Sequence, residues 1–117
     1  MKKKIIKLPG PSYQGKVSIE KAIEQRRTVR SFEDKPLTLS QLSQILWSAQ
    51  GITDGKGFLR ASPSAGALYP IDIYPVVGDA AVNGLEAGVY HYDPEQHIIK
   101  KVCKGDKRND LARASLG

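Results

Sequence analysis

The chain has 117 residues, 40% hydrophobic and 26% charged, which limits it to one globular domain. Its formal net charge of +6 raises the question of nucleic-acid binding, but the cations are scattered and lack interleaved aromatic residues for base stacking. The single cysteine, Cys103, excludes an internal disulfide, and no apolar run approaches the roughly 20 residues that span a bilayer.

The first 17 residues are predicted to form an arm before the domain. Met1 to Lys4 imitate the charged start of a signal peptide, but the apolar stretch of about 7 or more residues that defines such a peptide does not follow. We interpret the arm as a solvated tail punctuated by Pro9 and Pro11, and we expect the protein in the cytoplasm, without nucleic-acid or membrane partners.

Two helices are predicted next. Ser18 can cap a short helix whose apolar positions are Ile19, Ala22 and Ile23. Thr38 and Gln41 form a capping-box pattern that opens a second helix, and Gly51 ends it. The apolar residues of this second helix recur on one face, at Leu39, Leu42, Ile45, Leu46 and Ala49. Residues 52–60, rich in Gly, Asp and Lys, predict a mobile loop.

Strands dominate the second half of the chain. Residues 71–77 predict a strand, although Pro75 lacks a donor and should place that end at an edge or a bulge. Residues 89–92 and 97–102 flank a turn and predict a hairpin. Residues 106–116 predict a helix whose buried side would carry Leu111, Ala112, Ser115 and Leu116. The fold class expected from these elements is α+β.

Arginine and hydroxyl side chains are concentrated where the first predicted helix ends. Arg26, Arg27 and Arg30 stay charged near neutrality and offer forked donors that match phosphate oxygens, while Thr28 and Ser31 add hydroxyls. The alternative is a solvated basic helix end, because cations gather at helix C-termini to meet the last carbonyls. Both interpretations, a phosphate site and a helix end, remain open on this segment alone.

Small residues run between two prolines in the segment 61–70. Small side chains let a flat ligand approach the backbone, Gly66 can adopt a positive φ, and Ser64 supplies a hydroxyl. The alternative is an ordinary proline-bounded turn that leads into a strand.

In this order, the arginine and small-residue segments resemble the nitroreductase family of FMN flavoproteins. Residues 63–70 and 88–94 resemble its SagB-type dehydrogenase branch, and the resemblance runs from Glu24 to the last residue. It implies that residues 18–117 are an incomplete, N-terminal portion of a nitroreductase-like domain. It also implies an FMN-dependent oxidoreductase that performs NAD(P)H-linked reduction, or SagB-type oxidation, of an unidentified small molecule or peptide.

The resemblance implies two groups of cofactor-contacting residues. In the first group, Arg26, Thr28 and Arg30 bind the FMN phosphate and ribityl chain. Arg27 belongs to the same group, at the intervening position where family members often also contact the flavin. The second group lies along the flavin, usually from the other subunit of a dimer, and consists of Pro63, Ser64, Ala65 and Ala67. Typical nitroreductases carry an Asn and a Gln-Pro-Trp where this chain has residues 66–70, so neither the substrate nor a catalytic side chain is implied.

Other catalytic chemistry finds little support in the sequence. His91 and His97 lack the spacing of a metal site and are interpreted as surface or packing residues. Cys103 has no recognisable histidine partner and is interpreted as incidental. Trp47 is expected to pack against core or a neighbouring subunit rather than to take part in chemistry.

The family domain is substantially longer than this chain. We expect the remaining half to be a separate polypeptide, or to have been lost to cleavage or a broken reading frame. The functional form would then be a homodimer, or an assembly with a second polypeptide that supplies the missing half. Two alternatives stay open: a noncatalytic module that binds flavin or another phosphorylated ligand, and a small basic nucleic-acid-binding protein.

Overall fold

The computed structural model describes residues 4–115, in which a four-stranded antiparallel sheet is combined with three α-helices. The elements in chain order are β1 (Ile5–Lys7), α1 (Ile19–Gln25), α2 (Leu39–Gln50), a 3₁₀ turn (Ala65–Ala67), β2 (Val76–Val77), β3 (Gly88–Asp93), β4 (Ile98–Lys104) and α3 (Arg108–Ala114). The strand order in the sheet is β1-β4-β3-β2. The predicted α+β class is therefore confirmed.

The hairpin formed by β3 and β4 is the centre of the fold. Its strands pair antiparallel, as the sequence predicted, with Tyr92 opposite Ile99. Tyr90, Tyr92 and Ile99 are among the most deeply buried side chains of the described residues. The turn between the strands is closed by the Asp93 carboxylate, which accepts hydrogen bonds from the backbone N–H groups of Glu95 and Gln96.

Helix α2 supplies the layer that covers one face of this sheet. The predicted capping box is present, since Thr38 Oγ1 accepts from the Gln41 N–H and Gln41 Oε1 accepts from the Thr38 N–H. Leu42 and Leu46 reach the core, whereas Ile45, which shares their predicted apolar face, is 56% exposed. Two polar residues of the helix, Ser43 and Gln50, are also buried. Burial of the Ser43 hydroxyl is compensated by its hydrogen bond to the Pro9 carbonyl oxygen.

The N-terminal arm is not a solvated tail. Ile5–Lys7 forms β1 and pairs antiparallel with β4, with Ile6 opposite Ile99, and Leu8 enters the core. The edge of β4 would otherwise leave a row of backbone groups unpaired, which explains why a segment without a strong strand signal is ordered there. Met1, Lys2 and Lys3 belong to the same predicted tail but lie outside the described residues.

A buried polar cluster holds the arm against α2 and the hairpin, and we call its members Pro9, Ser43, Tyr92 and His97 the arm clasp. His97 Nε2 lies 3.0 Å from the Pro9 carbonyl oxygen and 2.7 Å from Ser43 Oγ, while its Nδ1 lies 2.8 Å from the Tyr92 hydroxyl. Because a carbonyl only accepts, Nε2 is assigned the proton and Nδ1 accepts from Tyr92. His97, interpreted from the sequence as a surface or packing residue, is thus a partly buried side chain held by hydrogen bonds.

The strand predicted over residues 71–77 is shorter than expected, with regular pairing only at Val76–Val77. The carbonyls of Ile73 and Pro75 nevertheless accept from the backbone N–H groups of Tyr92 and Tyr90, so the extended chain follows β3 along its whole length. Pro75 has no backbone N–H to donate, as predicted, so it takes part in the ladder only through its carbonyl oxygen.

The last helix, α3, lies within the predicted range, but its predicted buried side is wrong. Leu111 is 52% exposed, Ala112 and Ser115 are exposed as well, and Leu116 lies outside the described residues. The helix is anchored at its start instead, where the Asp106 carboxylate accepts from the Asp79 N–H and from the Arg108 side chain. The hydrogen bonds from Arg108 hold the pKa of Asp106 well below its usual range.

The arm clasp predicts a pH-dependent effect of Tyr92→Phe. The substitution leaves the partly buried Nδ1 of His97 without its donor, which should cost about 1 to 3 kcal/mol at neutral pH. Burial raises the pKa of Tyr92 from 10.0 to about 12, so the contribution of the neutral phenol is complete below pH 10.0 and is lost as the pH rises through about 12. The difference in unfolding free energy between the two proteins should therefore shrink over that window.

Urea unfolding at a series of pH values measures this difference. Tyr13→Phe is the matched control, because Tyr13 is 76% exposed and its hydroxyl has no hydrogen-bond partner in the described part of the chain. A difference for Tyr92→Phe that stays constant from neutral pH to about pH 12 would contradict the raised pKa of the buried Tyr92 hydroxyl.

Candidate functional site

The arginine segment leaves α1 as exposed, irregular chain. The backbone N–H of Arg26 closes the helix by donating to Ala22, and residues 26–30 then follow without regular structure. Arg27 folds back, and its Nη1 donates to the carbonyl oxygens of Glu24 at 2.9 Å and of Arg26 at 2.8 Å. Arg27 thus acts as the helix-end cation that the alternative interpretation described.

Arg26 and Arg30 differ from Arg27 in having no intramolecular partner. In the described part of the chain neither guanidinium forms an ion pair or a side-chain hydrogen bond, and the Thr28 hydroxyl is likewise unbonded. Two exposed guanidinium groups with all their donors available can bind an anion at little cost in broken contacts. The helix-end role thus belongs to Arg27, whereas Arg26 and Arg30 keep their donors available.

The second segment forms a strained turn, residues 64–69. Gly66 has φ of 67°, as its predicted conformational freedom allows, but Ala67 at 53° and Tyr69 at 45° are also left-handed. For a residue with a Cβ this conformation costs about 1 to 2 kcal/mol. Strain of this kind persists where surrounding contacts enforce it, and it is concentrated at functional sites.

The Ser64 hydroxyl is oriented by the turn itself. Its Oγ accepts a hydrogen bond of 2.8 Å from the backbone N–H of Tyr69, and the Ser64 carbonyl accepts from the Ala67 N–H. Because Oγ is used as an acceptor, its proton remains available for a ligand. Ser64 is partly buried, whereas Pro63, Ala65 and Ala67 are exposed around it.

The turn is fixed to the C-terminal end of α2 by contacts that the sequence did not reveal. The Ser62 hydroxyl donates to the Ala49 carbonyl, the Ala61 N–H donates to Gly51, and the Arg60 guanidinium carbon lies 4.8 Å from the centroid of the Tyr69 ring. Sequence reasoning missed Arg60 because a contact between residues nine positions apart follows no helical or strand period.

The two groups of candidate residues are not joined in the described part of the chain. No hydrogen bond or ion pair links residues 26–30 to residues 63–67. A cavity of about 350 Å³ lies instead at the arm, where Tyr13 and Trp47 meet edge to face with ring centroids 5.5 Å apart. Within the described residues, the two groups are therefore not coupled by polar contacts.

Neither a membrane span nor a metal centre is found in the part of the chain that the structure describes. No helix in residues 4–115 combines the length and the apolar character needed to cross a bilayer. In the same residues, no cluster of three or more His, Cys, Asp or Glu side chains could hold a metal ion.

Exposed apolar side chains surround both candidate surfaces. The arginine segment is flanked by Ile19, Ile23, Val29 and Phe32, and the turn by Phe58, Leu59, Leu68 and Ile71. The accessible surface of 9210 Å² compares with about 6,300 Å² for a compact monomer of 12.8 kDa. An excess of this size is comparable to the area that a stable interface with another polypeptide buries.

Comparison with known proteins identifies relatives that match most of the chain. The nitroreductase family pattern matches residues 23–116. The candidate nitroreductase MJ1384 of Methanocaldococcus jannaschii is 45% identical over 100 residues, which cover 86% of this chain and 49% of that protein. The trifolitoxin-processing protein TfxB of Rhizobium leguminosarum bv. trifolii is 51% identical over 73 residues, which cover 56% of this chain and 19% of that protein.

Solved structures agree with these matches. A candidate nitroreductase from Ralstonia eutropha JMP134 superposes with a TM-score of 0.76 at 32% identity, over 89% of this chain and 46% of that one. Another from Anabaena variabilis ATCC 29413 gives 0.72 at 26% identity, over 95% of this chain and 23% of that one. The chain therefore spans half or less of the length of each relative.

The strained turn predicts a specific cost for Gly66→Ala. A Cβ at φ of 67° should destabilise the turn by about 1 kcal/mol, which is about a 5-fold faster exchange of the Tyr69 amide proton. Amide exchange followed by NMR measures this directly. Gly15→Ala is the control, because a Cβ there meets nothing within 4 Å and its φ is not positive. Equal exchange rates in the two variants would contradict the left-handed assignment.

Proposed function

The chain belongs to the nitroreductase family, and from this premise we propose that residues 18–117 are the N-terminal part of an FMN-dependent oxidoreductase. The observation that carries the proposal is the unpaired state of the Arg26 and Arg30 guanidinium groups directly after α1. A terminal phosphate is the ligand chemistry that forked, permanently charged donors match best.

The donor groups present fit FMN. Arg26, Arg30 and the Thr28 hydroxyl would hold the phosphate and the adjoining ribityl chain, and Ser64 would donate to a polar atom of the flavin or ribityl chain. Bound FMN supplies the hydride and electron chemistry of such enzymes. The protein residues themselves bind and orient.

The division of labour within the arginine segment supports this assignment. Arg27 satisfies two carbonyls at the end of α1 and so fixes the path of the chain on which Arg26 and Arg30 lie. In the turn, the Tyr69 N–H orients the Ser64 hydroxyl by a hydrogen bond. The exposed side chains around it are compact and leave the backbone accessible to a flat ring system: Pro63, Ala65 and Ala67. Preorganised contacts of this kind reduce the entropy lost when a ligand binds.

For the substrate and the co-substrate we propose chemical classes only. NADH or NADPH would reduce the flavin, and a second small molecule or a peptide would exchange electrons with it. The SagB-type branch, with oxidation of a peptide-derived substrate, is favoured by the turn sequence 63–70 and by 51% identity to a protein named for trifolitoxin processing. The reduced, exposed Cys103 thiol suits the cytoplasm, where we place the protein.

A noncatalytic flavin-binding module is the second candidate. It is favoured by the coverage of only 49% of MJ1384, because the other half of that protein is available to supply residues of a complete reaction site. Flavin binding without turnover by the chain alone, and with turnover in a complementing assembly, would separate these two candidates.

The proposed functional form is a homodimer, or an assembly with a polypeptide that supplies the other half of the domain. Both candidate surfaces carry exposed apolar side chains, and the accessible surface exceeds that of a compact monomer by about 2,900 Å². Sharing one flavin between the arginine segment of one protomer and the turn of its partner would bring together the two groups that are separate within one chain.

Phosphate recognition by Arg26 predicts that Arg26→Ala weakens FMN binding by about 1.5 to 3 kcal/mol, or 10- to 150-fold in Kd. Riboflavin lacks the phosphate, so its affinity should change less than about 2-fold in the same variant. Titration of the apoprotein with the two ligands, followed by flavin fluorescence, measures both effects. Arg113→Ala, which removes an exposed cation from α3, is the matched control.

Two results would contradict the proposal. Equal losses for FMN and riboflavin would show that Arg26 does not act on the phosphate. Stoichiometric recovery of FAD in place of FMN, determined by mass spectrometry of the extracted ligand, would show that recognition does not end at a terminal phosphate.

The exposed apolar surface predicts association. The chain expressed alone should be poorly soluble or self-associated, and coexpression with the C-terminal half of a longer relative such as MJ1384 should give a compact, flavin-bound dimer. Light scattering combined with flavin absorbance measures assembly and occupancy together. A well-behaved monomer of 12.8 kDa that binds FMN with full stoichiometry would refute the shared site.

A further inference from the structure

Arg60 is held against the Tyr69 ring without any other side-chain partner in the described residues. Its guanidinium carbon lies 4.8 Å from the ring centroid, within the range of a favourable cation–π contact. Arg60 is partly buried, yet it forms no ion pair and donates no side-chain hydrogen bond there. The aromatic contact is therefore the interaction that accounts for its position.

The backbone of Arg60 is fixed independently of this contact. A bridge pairs Arg60 with Ile52, the Thr53 N–H donates to Leu59, and the Ala61 N–H donates to Gly51. These bonds close the loop of residues 52–60 onto the end of α2. The Arg60 side chain therefore extends from an ordered backbone over the ring of Tyr69, whose own backbone is strained.

Tyr69 needs a stabilising contact to keep its left-handed backbone conformation. Its φ of 45° is unfavourable for a side chain of this size, and this conformation directs its N–H to Ser64 Oγ at 2.8 Å. If the ring were released, the backbone of Tyr69 could relax, and Ser64 would lose the bond that orients its hydroxyl. The contacts thus form a chain from Arg60 through Tyr69 to Ser64.

We infer that Arg60 is a positioning residue for the candidate flavin site, acting through the Tyr69 ring to hold the Ser64 hydroxyl in its ligand-ready orientation. The inference rests on the proposed function for the ligand, but the contact itself is a property of the chain without ligand. The charge of Arg60 acts on the structure through the aromatic face, so lysine should replace it only in part, because its compact ammonium lacks the planar fork.

A double-mutant cycle tests the route through Ser64. Arg60→Ala should weaken FMN binding about 5-fold, the scale of a partly desolvated cation–π contact, and Ser64→Ala should weaken it by a similar factor. In the Ser64→Ala background, Arg60→Ala should have no further effect, since the hydroxyl it positions is absent. Arg60→Lys should recover part of the affinity, and Tyr69→Phe, which keeps the ring, should bind as the wild type does.

Exchange of the Tyr69 amide proton without ligand provides a separate readout. The exchange of this amide proton should accelerate about 5-fold in Arg60→Ala, because the loss of the ring contact destabilises the turn by about 1 kcal/mol. In Tyr69→Leu the amide proton of the new residue at this position should accelerate by a similar factor after correction for its intrinsic exchange rate. The Tyr92 amide, which donates to the Ile73 carbonyl in the sheet, is the internal control and should not change. Tyr69→Leu carries the test if Arg60→Ala does not fold.

The outcomes separate the inference from the proposed function. Additive losses of FMN affinity in the cycle, or unchanged Tyr69 amide exchange in both variants, would overturn the positioning role. If the wild-type chain binds no flavin in any assembly, the proposed function fails, and the amide exchange alone then decides whether Arg60 positions the turn.

Discussion

The structure depends on the pairing of β3 with β4, because the sheet and the hydrophobic core of the described residues are built on this hairpin. Its buried side chains Tyr90, Tyr92 and Ile99 form the surface on which α2 packs, and β1 completes the free edge of β4. On the other edge, the extended chain before β2 follows β3 through the carbonyls of Ile73 and Pro75. That attachment sets the position of residues 64–69, which lead directly into the extended segment.

Stability and candidate function are located in different parts of this arrangement. The core lies between α2 and one face of the sheet, whereas neither α1 nor the turn 64–69 contributes a buried residue to it. The turn can therefore carry left-handed residues such as Ala67 and Tyr69 at a cost that the core offsets. Separation of this kind lets a site be exposed and strained while the fold remains determined by the hairpin.

Local signals made part of this structure predictable. The capping box at Thr38, the β3–β4 hairpin and the positive φ of Gly66 follow from contacts between residues close in sequence. The pairing of β1 with β4 and the bond between Pro9 and His97 join residues 88 or more positions apart, and no local pattern encodes them. Leu111 was misjudged because amphipathic spacing shows which face could be buried, and not whether a partner is present to bury it.

The arginine segment shows why the two interpretations of its sequence did not exclude each other. Arg27 is used by the last carbonyls of α1, which is the structural role of a basic helix end, while Arg26 and Arg30 keep their donors unpaired. A guanidinium that closes a helix also restricts the backbone on either side of it. The backbone at Arg26 and Arg30 is then already restricted, so less conformational entropy is lost when a ligand binds. The helix end is thus the physical support of the candidate phosphate site, and a test of Arg26 is interpretable only while Arg27 is left intact.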